Sequence, residues 1–353
     1  MRPIGTPGTE WNETVLPDED RLVADFLRTI RQQQEDTARD GRTLRGFHAK
    51  IHLGAEAAFH VLPDLPDFAR QGVFREPATY PAVVRFSNGH FRVNPDSTKE
   101  PRGIAIKLLG VHGARLPGHD AATQDFLATS HSLTSTVRDI RQFVAVVEAT
   151  RGRDKPRFGE MARRLGLREA LRILVALVRT VSIPSVHSMA TERFGGTAPV
   201  QWGPYAAKFT VQPAEGTAPH LPRARTPDFL REELAERLRA GDLAFDFMAQ
   251  FFVDDRRTPI EDTSVAWNSE AVRVAQLVIP RCDVDGDAHA RRTSEAIERL
   301  AFSPWHGLAD HRPLGSVMRA RRTAYEASAA FRTHDPEPDS LPLVAPGEPA
   351  LHA

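Results

Sequence analysis

The feature that most constrains the fold is a series of short segments in which apolar and polar residues alternate. These segments occupy residues 51–61, 80–87, 101–109, 124–129, 207–211, 245–251 and 272–279. Such alternation, with many β-branched and aromatic residues, is typical of strands that bury one face. Few of the segments are separated by a crossover helix, which disfavours parallel βαβ units. The pattern predicts an α+β fold in which helices are added to an antiparallel sheet or barrel.

Helices are predicted between and around these strands, because apolar residues recur there at helical spacing. One helix follows Asp18, and the others cover about residues 137–150, 167–181, 227–240, 291–300 and 318–332. The helix at 227–240 is the best delimited, since Thr226 is a preferred cap and Gly241 a preferred stop.

The order of these segments predicts three parts of the chain. Residues 1–40 form an N-terminal arm and helix, and residues 41–332 form the main domain. That domain carries a helical insert at about 137–195 and ends in a helix at about 316–332. Residues 333–353 are rich in proline and are predicted to be disordered.

The overall charge excludes several classes of partner. The 353 residues include 46 basic and 46 acidic ones, so no global field attracts nucleic acid or an anionic membrane.

The single cysteine, Cys282, excludes an intramolecular disulfide and a multi-cysteine metal site, and fits a reducing cytoplasm. We find no signal peptide, membrane-spanning stretch, dinucleotide motif, P-loop or zincin motif. The sequence therefore predicts a cytoplasmic protein that binds no nucleic acid.

The predicted helix at 167–181 is basic along one edge. It places Leu171 and Val178 at helical spacing beside Arg168 and Arg172. Such a helix can lie on a membrane surface or bind a partner. A helix that docks on its own protein and leaves its basic edge solvated is more common, and we favour that interpretation over membrane contact.

The last predicted helix presents a phenol between guanidinium groups. At about 3.6 residues per turn, Arg321, Tyr325 and Arg332 lie on one face. A cation one turn before a phenol favours the phenolate form, an anionic oxygen that can bind ferric iron. Only Tyr325 has an arginine four residues earlier, whereas Tyr80 and Tyr205 stand beside prolines. The alternative is a half-buried tyrosine on a surface helix with solvated arginines.

Several short motifs together resemble the catalase superfamily, and most closely its short bacterial catalase-like branch. They are residues 45–50 (R-x-x-H-A-K), 84–87 (V-R-F-S), 101–103 (P-R-G), 259–262, 302–306, and the Arg321–Tyr325 pair with Arg332. None is specific alone, but they follow the family's order over most of the chain. The resemblance implies a catalase-like antiparallel β-barrel with a helical insert and C-terminal helices. It also implies a haem buried between the barrel and the proximal helix, which carries the iron ligand.

The resemblance assigns residues to both faces of that haem. On the distal face it implies His48 as the catalytic histidine, with Ser87 bonded to it. On the proximal face it implies Tyr325 as the iron ligand, paired with Arg321. A planar guanidinium suits a carboxylate. The partners implied for the haem propionates are Arg45, Arg85 and Arg332.

One segment departs from the family pattern. After the strand at 124–129 the family has an asparagine followed by a proline and paired phenylalanines, whereas this chain has Thr129 followed by small or polar residues. A threonine hydroxyl thus replaces, in the catalytic site, the amide that helps orient peroxide. We therefore expect weak dismutation of hydrogen peroxide and room for a larger substrate. His131 is either a further polar contact in that pocket or exposed to solvent.

The function implied by the resemblance is that of a catalase-related haem peroxidase with haem b. It would activate hydrogen peroxide or an organic hydroperoxide and oxidise a small-molecule co-substrate. The reaction would be peroxidase-like or a specialised biosynthetic oxidation rather than efficient catalase turnover. The alternative is a haem-binding scaffold of the same fold without turnover. The physiological substrate, the pathway and the oligomeric state, including a homo-oligomer, are left open.

Overall fold

A computed structural model describes residues 6–38, 44–130, 134–150, 157–181, 185–218, 225–332 and 334–344. The helices are α1 (Glu19–Thr37), α2 (Ile140–Thr150), α3 (Phe158–Leu165), α4 (Leu167–Val181), α5 (Phe229–Ala240), α6 (Ala288–Arg299) and α7 (Ser316–Phe331). The strands are β1 (Ile51–Val61), β2 (Thr79–Asn88), β3 (Arg102–Leu109), β4 (Thr123–Thr129), β5 (Phe194–Gly195), β6 (Val200–Trp202), β7 (Tyr205–Pro213), β8 (Leu243–Phe251) and β9 (Ala271–Ile279).

The strands form one antiparallel sheet that closes on itself. Their order is β5-β4-β3-β2-β1-β9-β8-β7-β6, and β5 also pairs with β7. Within the described ranges the closed part therefore has eight strands, and β6 is attached beside β7. The predicted α+β fold with an antiparallel barrel is confirmed. Each predicted strand segment coincides with one of the long strands to within three residues at either end.

Aromatic side chains fill the barrel, because alternate residues of each strand point inward. The Phe247 ring lies 5.3 Å from Phe59, 5.0 Å from Phe126 and 5.1 Å from Phe209, measured between ring centroids. All four side chains are buried. Since each ring buries a large apolar area, this cluster fixes β1, β4, β7 and β8 relative to one another. These strands are the scaffold on which the loops of the site are built.

Three helices pack together outside the barrel. The apolar stripe of α1, including Phe26 and Ile30, meets Ile140 of α2 and Ala320 and Ala324 of α7 in one buried cluster. The side chains on α7 in this cluster are small, so α1 approaches its backbone closely. The N-terminal helix thus packs directly on the helix that the sequence singles out at the other end of the chain.

Two acidic residues hold the N-terminus of α7. Glu13 Oε1 accepts a hydrogen bond from the Gly315 amide at 2.8 Å, and Glu261 Oε2 accepts one from the Ser316 amide at 2.7 Å. Arg319, one turn further on, forms ion pairs with both carboxylates, at 2.7 Å and 3.1 Å. Carboxylates stabilise a helix N-terminus because they satisfy unpaired N–H groups and complement the helix dipole. The N-terminal arm and the loop before β9 therefore position α7.

The structure differs from the prediction at the start of α5 and in two short strands. Helix α5 begins at Phe229 rather than at Pro227, because Thr226 Oγ1 accepts a hydrogen bond from the Asp228 amide at 3.3 Å in a turn before the helix. The sequence also misses β5 and β6, which have 2 and 3 residues. Strands this short contain too few residues to show alternation.

The C-terminal tail differs in part from the predicted disorder. Residues 334–344 lie against the barrel, where Glu337 Oε2 is 2.6 Å from Lys107 Nζ. Lys107 is fully buried and also pairs with Asp125 at 2.7 Å. A buried ammonium group needs such carboxylate partners, and one of them comes from the tail. The prediction for residues 345–353 falls outside the described residues.

Candidate active site

One large cavity is lined by the loop before β1, by strands β2 to β4 and by α7. It encloses about 1260 Å³, counting the solvent at its mouth. It brings together every residue that the sequence assigns to the site, namely Arg45, His48, Arg85, Ser87, Thr129, Arg321, Tyr325 and Arg332.

The imidazole of His48 is held by the end of β2. Its Nδ1 atom lies 2.5 Å from the carbonyl oxygen of Asn88 and 3.1 Å from Ser87 Oγ. A carbonyl oxygen can only accept a hydrogen bond, so Nδ1 carries the proton. The Nε2 atom therefore keeps its lone pair, in a ring that lines the cavity.

The same imidazole is neutral near pH 7. Burial, together with the positive charge of Arg85, lowers the pKa of His48 to about 3. The hydrogen bond to the Asn88 carbonyl acts in the opposite direction but does not offset the lowering of the pKa. His48 is thus an unprotonated base that can accept a proton at Nε2.

The position of His48 depends on a glycine in the neighbouring strand. The φ angle of His48 is 59°, in the left-handed region that residues with a side chain rarely adopt. A Cβ atom on Gly103 would lie 2.5 Å from His48 Nδ1 and 2.8 Å from Ser87 Oγ. Because no Cβ atom tolerates such contacts, only glycine at position 103 lets the imidazole reach its two partners. The motif at 101–103 therefore serves the site as well as opening β3.

Tyr325 lines the cavity from α7. Arg321 Nη2 donates a hydrogen bond to Tyr325 Oη at 2.5 Å, and its Nη1 lies 3.5 Å from Met318 Sδ. A charged donor this close stabilises negative charge on the phenol oxygen. The two residues that the sequence places one turn apart are thus in direct contact.

Three arginines converge on Glu298 near the end of α6; we call these four residues the arginine cluster. Arg85 Nε donates to Glu298 Oε2 at 2.6 Å, and Arg45 Nη2 donates to the Glu298 carbonyl oxygen at 2.6 Å. Arg332 Nη1 donates to the same carbonyl oxygen at 3.4 Å. Arg45 and Arg332 also share the carbonyl oxygen of Leu300, at 2.9 Å and 3.2 Å.

The arginine cluster contains more positive than negative charge. It contains three guanidinium groups and one carboxylate, which leaves two positive charges unbalanced within it. Burial and the charge of Arg85 lower the pKa values of Arg45 and Arg332. Burial alone would raise the pKa of Glu298, but Arg85 and Arg45 hold it below its usual value. The cluster therefore suits a ligand that carries two negative charges.

One buried nitrogen of the arginine cluster has no hydrogen-bond partner among the described residues. Arg45 Nε is buried, and within the described part of the chain no acceptor bonds to it. Its closest carboxylate atom, Glu298 Oε1, lies 3.6 Å away. Since a buried N–H without an acceptor is costly, this atom marks a place that a ligand oxygen would fill.

Thr129 lies at the end of β4, opposite Gly103 on β3 and Gly195 on β5. The cavity wall continues from it through Gly196 to Ala198, whose side chains are absent or small. Among the described residues, this stretch carries no aromatic side chain of its own, and the ring of Phe209 packs against it at Gly196. His131, the other residue singled out here, lies outside the described residues.

Two residues that contact the predicted site residues were not identified from the sequence. Asn88 is given no role in the site there, although its carbonyl oxygen fixes the tautomer of His48. Glu298 falls within a predicted helix and belongs to no motif, although three arginines meet at it. The only signal for Glu298 is its position four residues before the motif at 302–306.

The sequence is similar to that of a catalase-related peroxidase from Mycolicibacterium paratuberculosis. The two chains are 30% identical over 272 residues, which cover 72% of this chain and 79% of that protein. The chain belongs to the catalase superfamily. Within that superfamily it falls in the short, catalase-related branch, as the motifs predict. No family model matches the chain.

Solved catalases share the fold of this catalase-related protein. A bacterial catalase aligns over 94% of the chain with a TM-score of 0.61 and 18% identity. A fungal catalase and catalase A from Saccharomyces cerevisiae both give a TM-score of 0.63, at 16% and 15% identity over 92% and 94% of the chain. The chain spans 64% of the length of the first two and 68% of the third. It therefore has the catalase fold in a shorter form.

Proposed function

We propose that this protein is a haem-dependent peroxidase that uses hydrogen peroxide or an organic hydroperoxide. One observation carries the proposal: a neutral histidine and an arginine-bonded tyrosine line one cavity, whose arginine cluster has two unbalanced positive charges. Family membership and the catalase fold support the same reaction class. We further propose that the protein works in the cytoplasm, which fits its single cysteine.

The residues of the cavity fit a haem b group. The two unbalanced charges of the arginine cluster match its two propionates, and the unpartnered Arg45 Nε would gain an acceptor. Tyr325 Oη would bind the iron as tyrosinate, stabilised by Arg321. When bound, ferric haem would supply the iron and electrons that break the O–O bond of a peroxide.

The residues of the chain would manage the proton in this reaction. His48 Nε2 takes the proton from the attacking oxygen of the peroxide, because its lone pair is free and the ring is neutral. Asn88 and Ser87 engage Nδ1 of the imidazole, so that Nε2 is the nitrogen left to act on the substrate. His48 then returns the proton to the departing oxygen, which leaves as water or an alcohol.

The wall at Thr129 favours peroxidase-type turnover over dismutation. A threonine offers one hydroxyl close to the backbone, whereas the family's asparagine offers an amide on a longer arm. The small residues beside it leave room for an organic hydroperoxide or a larger co-substrate. We therefore infer that the dedicated substrate is an organic hydroperoxide, or that hydrogen peroxide is used together with an organic co-substrate.

Spectroscopy on variants tests this function directly. The purified wild-type protein should show a Soret band, and Tyr325→Phe should shift or abolish it. His48→Ala should keep the band but lose the oxidation of a reducing dye by peroxide. An unchanged spectrum in Tyr325→Phe would contradict the ligand assignment, and unchanged dye oxidation in His48→Ala would contradict the catalytic assignment.

A further inference from the structure

The hairpin of α3 and α4, outside the active site, has an unusual surface. Of the seven large apolar side chains exposed in the described part of the chain, four lie on α4. Leu167, Leu171 and Val175 are 68%, 53% and 43% exposed. They recur every fourth residue, so they lie within about 80° on one side of the helix. They form a continuous apolar row that faces solvent.

The opposite side of α4 is also apolar, and it is the side that packs on the rest of the protein. Ala170 and Ile173 are fully buried in a cluster with Met161 and Ala149. The helix therefore already packs on the protein through a separate apolar face. The exposed row is a second face, which the fold of the chain does not use.

Positive charge borders the exposed row. Arg168 and Arg172 lie along its edge, and a shallow groove runs between them and Leu171, Val175 and Ala176. Arg172 is paired with Glu169, whereas Arg168 is exposed and forms no ion pair within the ranges that the structure describes. Arg163, at the end of α3, is likewise exposed and without an ion pair among the described residues.

The charge is concentrated in this part of the sequence. Residues 151–179 contain nine basic and three acidic residues, whereas the whole chain has no net charge. Exposed apolar residues on a helix in a sequence segment with six more basic than acidic residues are typical of helices that lie on anionic membranes. None of the described helices is long and apolar enough to cross a bilayer, so such binding would be confined to its surface.

We propose that the exposed face of α4, with its arginine edge, binds the surface of an anionic lipid bilayer. The apolar row would enter the boundary between headgroups and acyl chains. Arg163 and Arg168 would contact lipid phosphates, which are their natural partners in charge and geometry. This interaction surface is independent of the haem site and does not rest on the proposed function.

Vesicle flotation with the full-length protein tests the proposal. Vesicles of phosphatidylcholine with one third phosphatidylglycerol should bind the protein at low salt, and pure phosphatidylcholine vesicles should bind it far less. The double variant Arg163→Gln and Arg168→Gln should bind anionic vesicles about thirtyfold more weakly. Leu171→Gln should weaken binding at least about tenfold.

Val93→Gln is the matched control, since Val93 is 60% exposed but lies outside α4. It should bind vesicles as the wild type does, and all variants should keep the wild-type circular dichroism and melting temperature. Equal binding to neutral and anionic vesicles, no binding at all, or full binding by Leu171→Gln would overturn the proposal. So would a dimer by light scattering that Leu171→Gln converts to a monomer, because the face would then join two copies of the chain.

Discussion

The histidine side and the arginine cluster of the proposed haem cavity differ in whether their polar groups are satisfied without a ligand. On the histidine side, His48 Nδ1 already has its partners and its burial already sets its protonation state. In the arginine cluster, three arginines stand beside a single carboxylate, which pairs with two of them, and a buried nitrogen lacks an acceptor. The difference teaches that the chain itself holds the proposed catalytic base, His48, in place, whereas the arginine cluster, on our proposal, is completed by an anionic ligand.

The largest expected effect is that of His48→Ala, which removes the base and leaves the arginine cluster intact. We expect peroxide-dependent dye oxidation to fall by about 10³-fold, because general acid–base groups contribute about 10²–10⁴-fold. Haem affinity from a Soret titration should change little. A large loss of haem affinity in this variant would show that the two sides are not independent.

The second effect concerns Thr129→Asn, which restores an amide on the distal wall. One preorganised donor is worth about 10²–10³-fold in rate, so oxygen evolution from hydrogen peroxide should rise by about 10²-fold. Thr129→Val, which keeps the shape and removes the hydroxyl, is the control and should not raise it. Efficient oxygen evolution by the wild type would refute our interpretation of Thr129.

Gly103→Ala tests the preorganisation of the base from the neighbouring strand. The added methyl group would overlap His48 Nδ1 and Ser87 Oγ, so the imidazole must move. A displacement of about 1 Å can cost about 10²-fold in rate, and we expect a loss of that size with the Soret band preserved. Gly110→Ala is not a suitable control, since Gly110 has a positive φ of 68° and an alanine there would strain the backbone.

A control for this variant is Gly159→Ala on α3. A Cβ atom there meets nothing within 4 Å, so activity should remain at the wild-type level. Full activity in Gly103→Ala as well would mean that the imidazole does not depend on the empty space at position 103.

The smallest effect is that of Glu298→Gln, which removes the single negative charge of the arginine cluster. We expect the haem-free protein to lose about 2 kcal/mol of unfolding free energy at pH 7, since hydrogen bonds to charged groups contribute about that much. The haem-bound protein should lose less, because the propionates would then balance the arginines. Denaturant titrations of both forms measure the difference, and an equal loss in both would contradict the account.

The effect of Glu298→Gln on the unfolding free energy should depend on pH. The folded-state pKa of Glu298 is held below its usual value, so ionised Glu298 stabilises the fold above the unfolded-state pKa. That contribution is lost as the pH falls through the lower, folded-state pKa. The difference in unfolding free energy between wild type and Glu298→Gln should therefore shrink as the pH is lowered below about 4.5.

The sequence predicts most of this architecture because its signals are local. Alternation over five or more residues predicts the long strands, and the motifs at 45–50 and 84–87 predict residues that β1 and β2 then bring together. Glu298 could not be predicted in this way, since its role depends on side chains from a loop, a strand and another helix. The same holds for the tail, where Glu337 is ordered by a buried lysine far away in the sequence.

The central claim is that the two unbalanced positive charges of the arginine cluster bind the two carboxylates of haem. The most direct test compares the dissociation constants of haem and of its dimethyl ester, measured by Soret titration of the wild-type protein. Esterification removes both negative charges and leaves the iron and the ring unchanged. The account predicts that the ester binds at least about a hundredfold more weakly. Equal affinities for haem and its ester would contradict it.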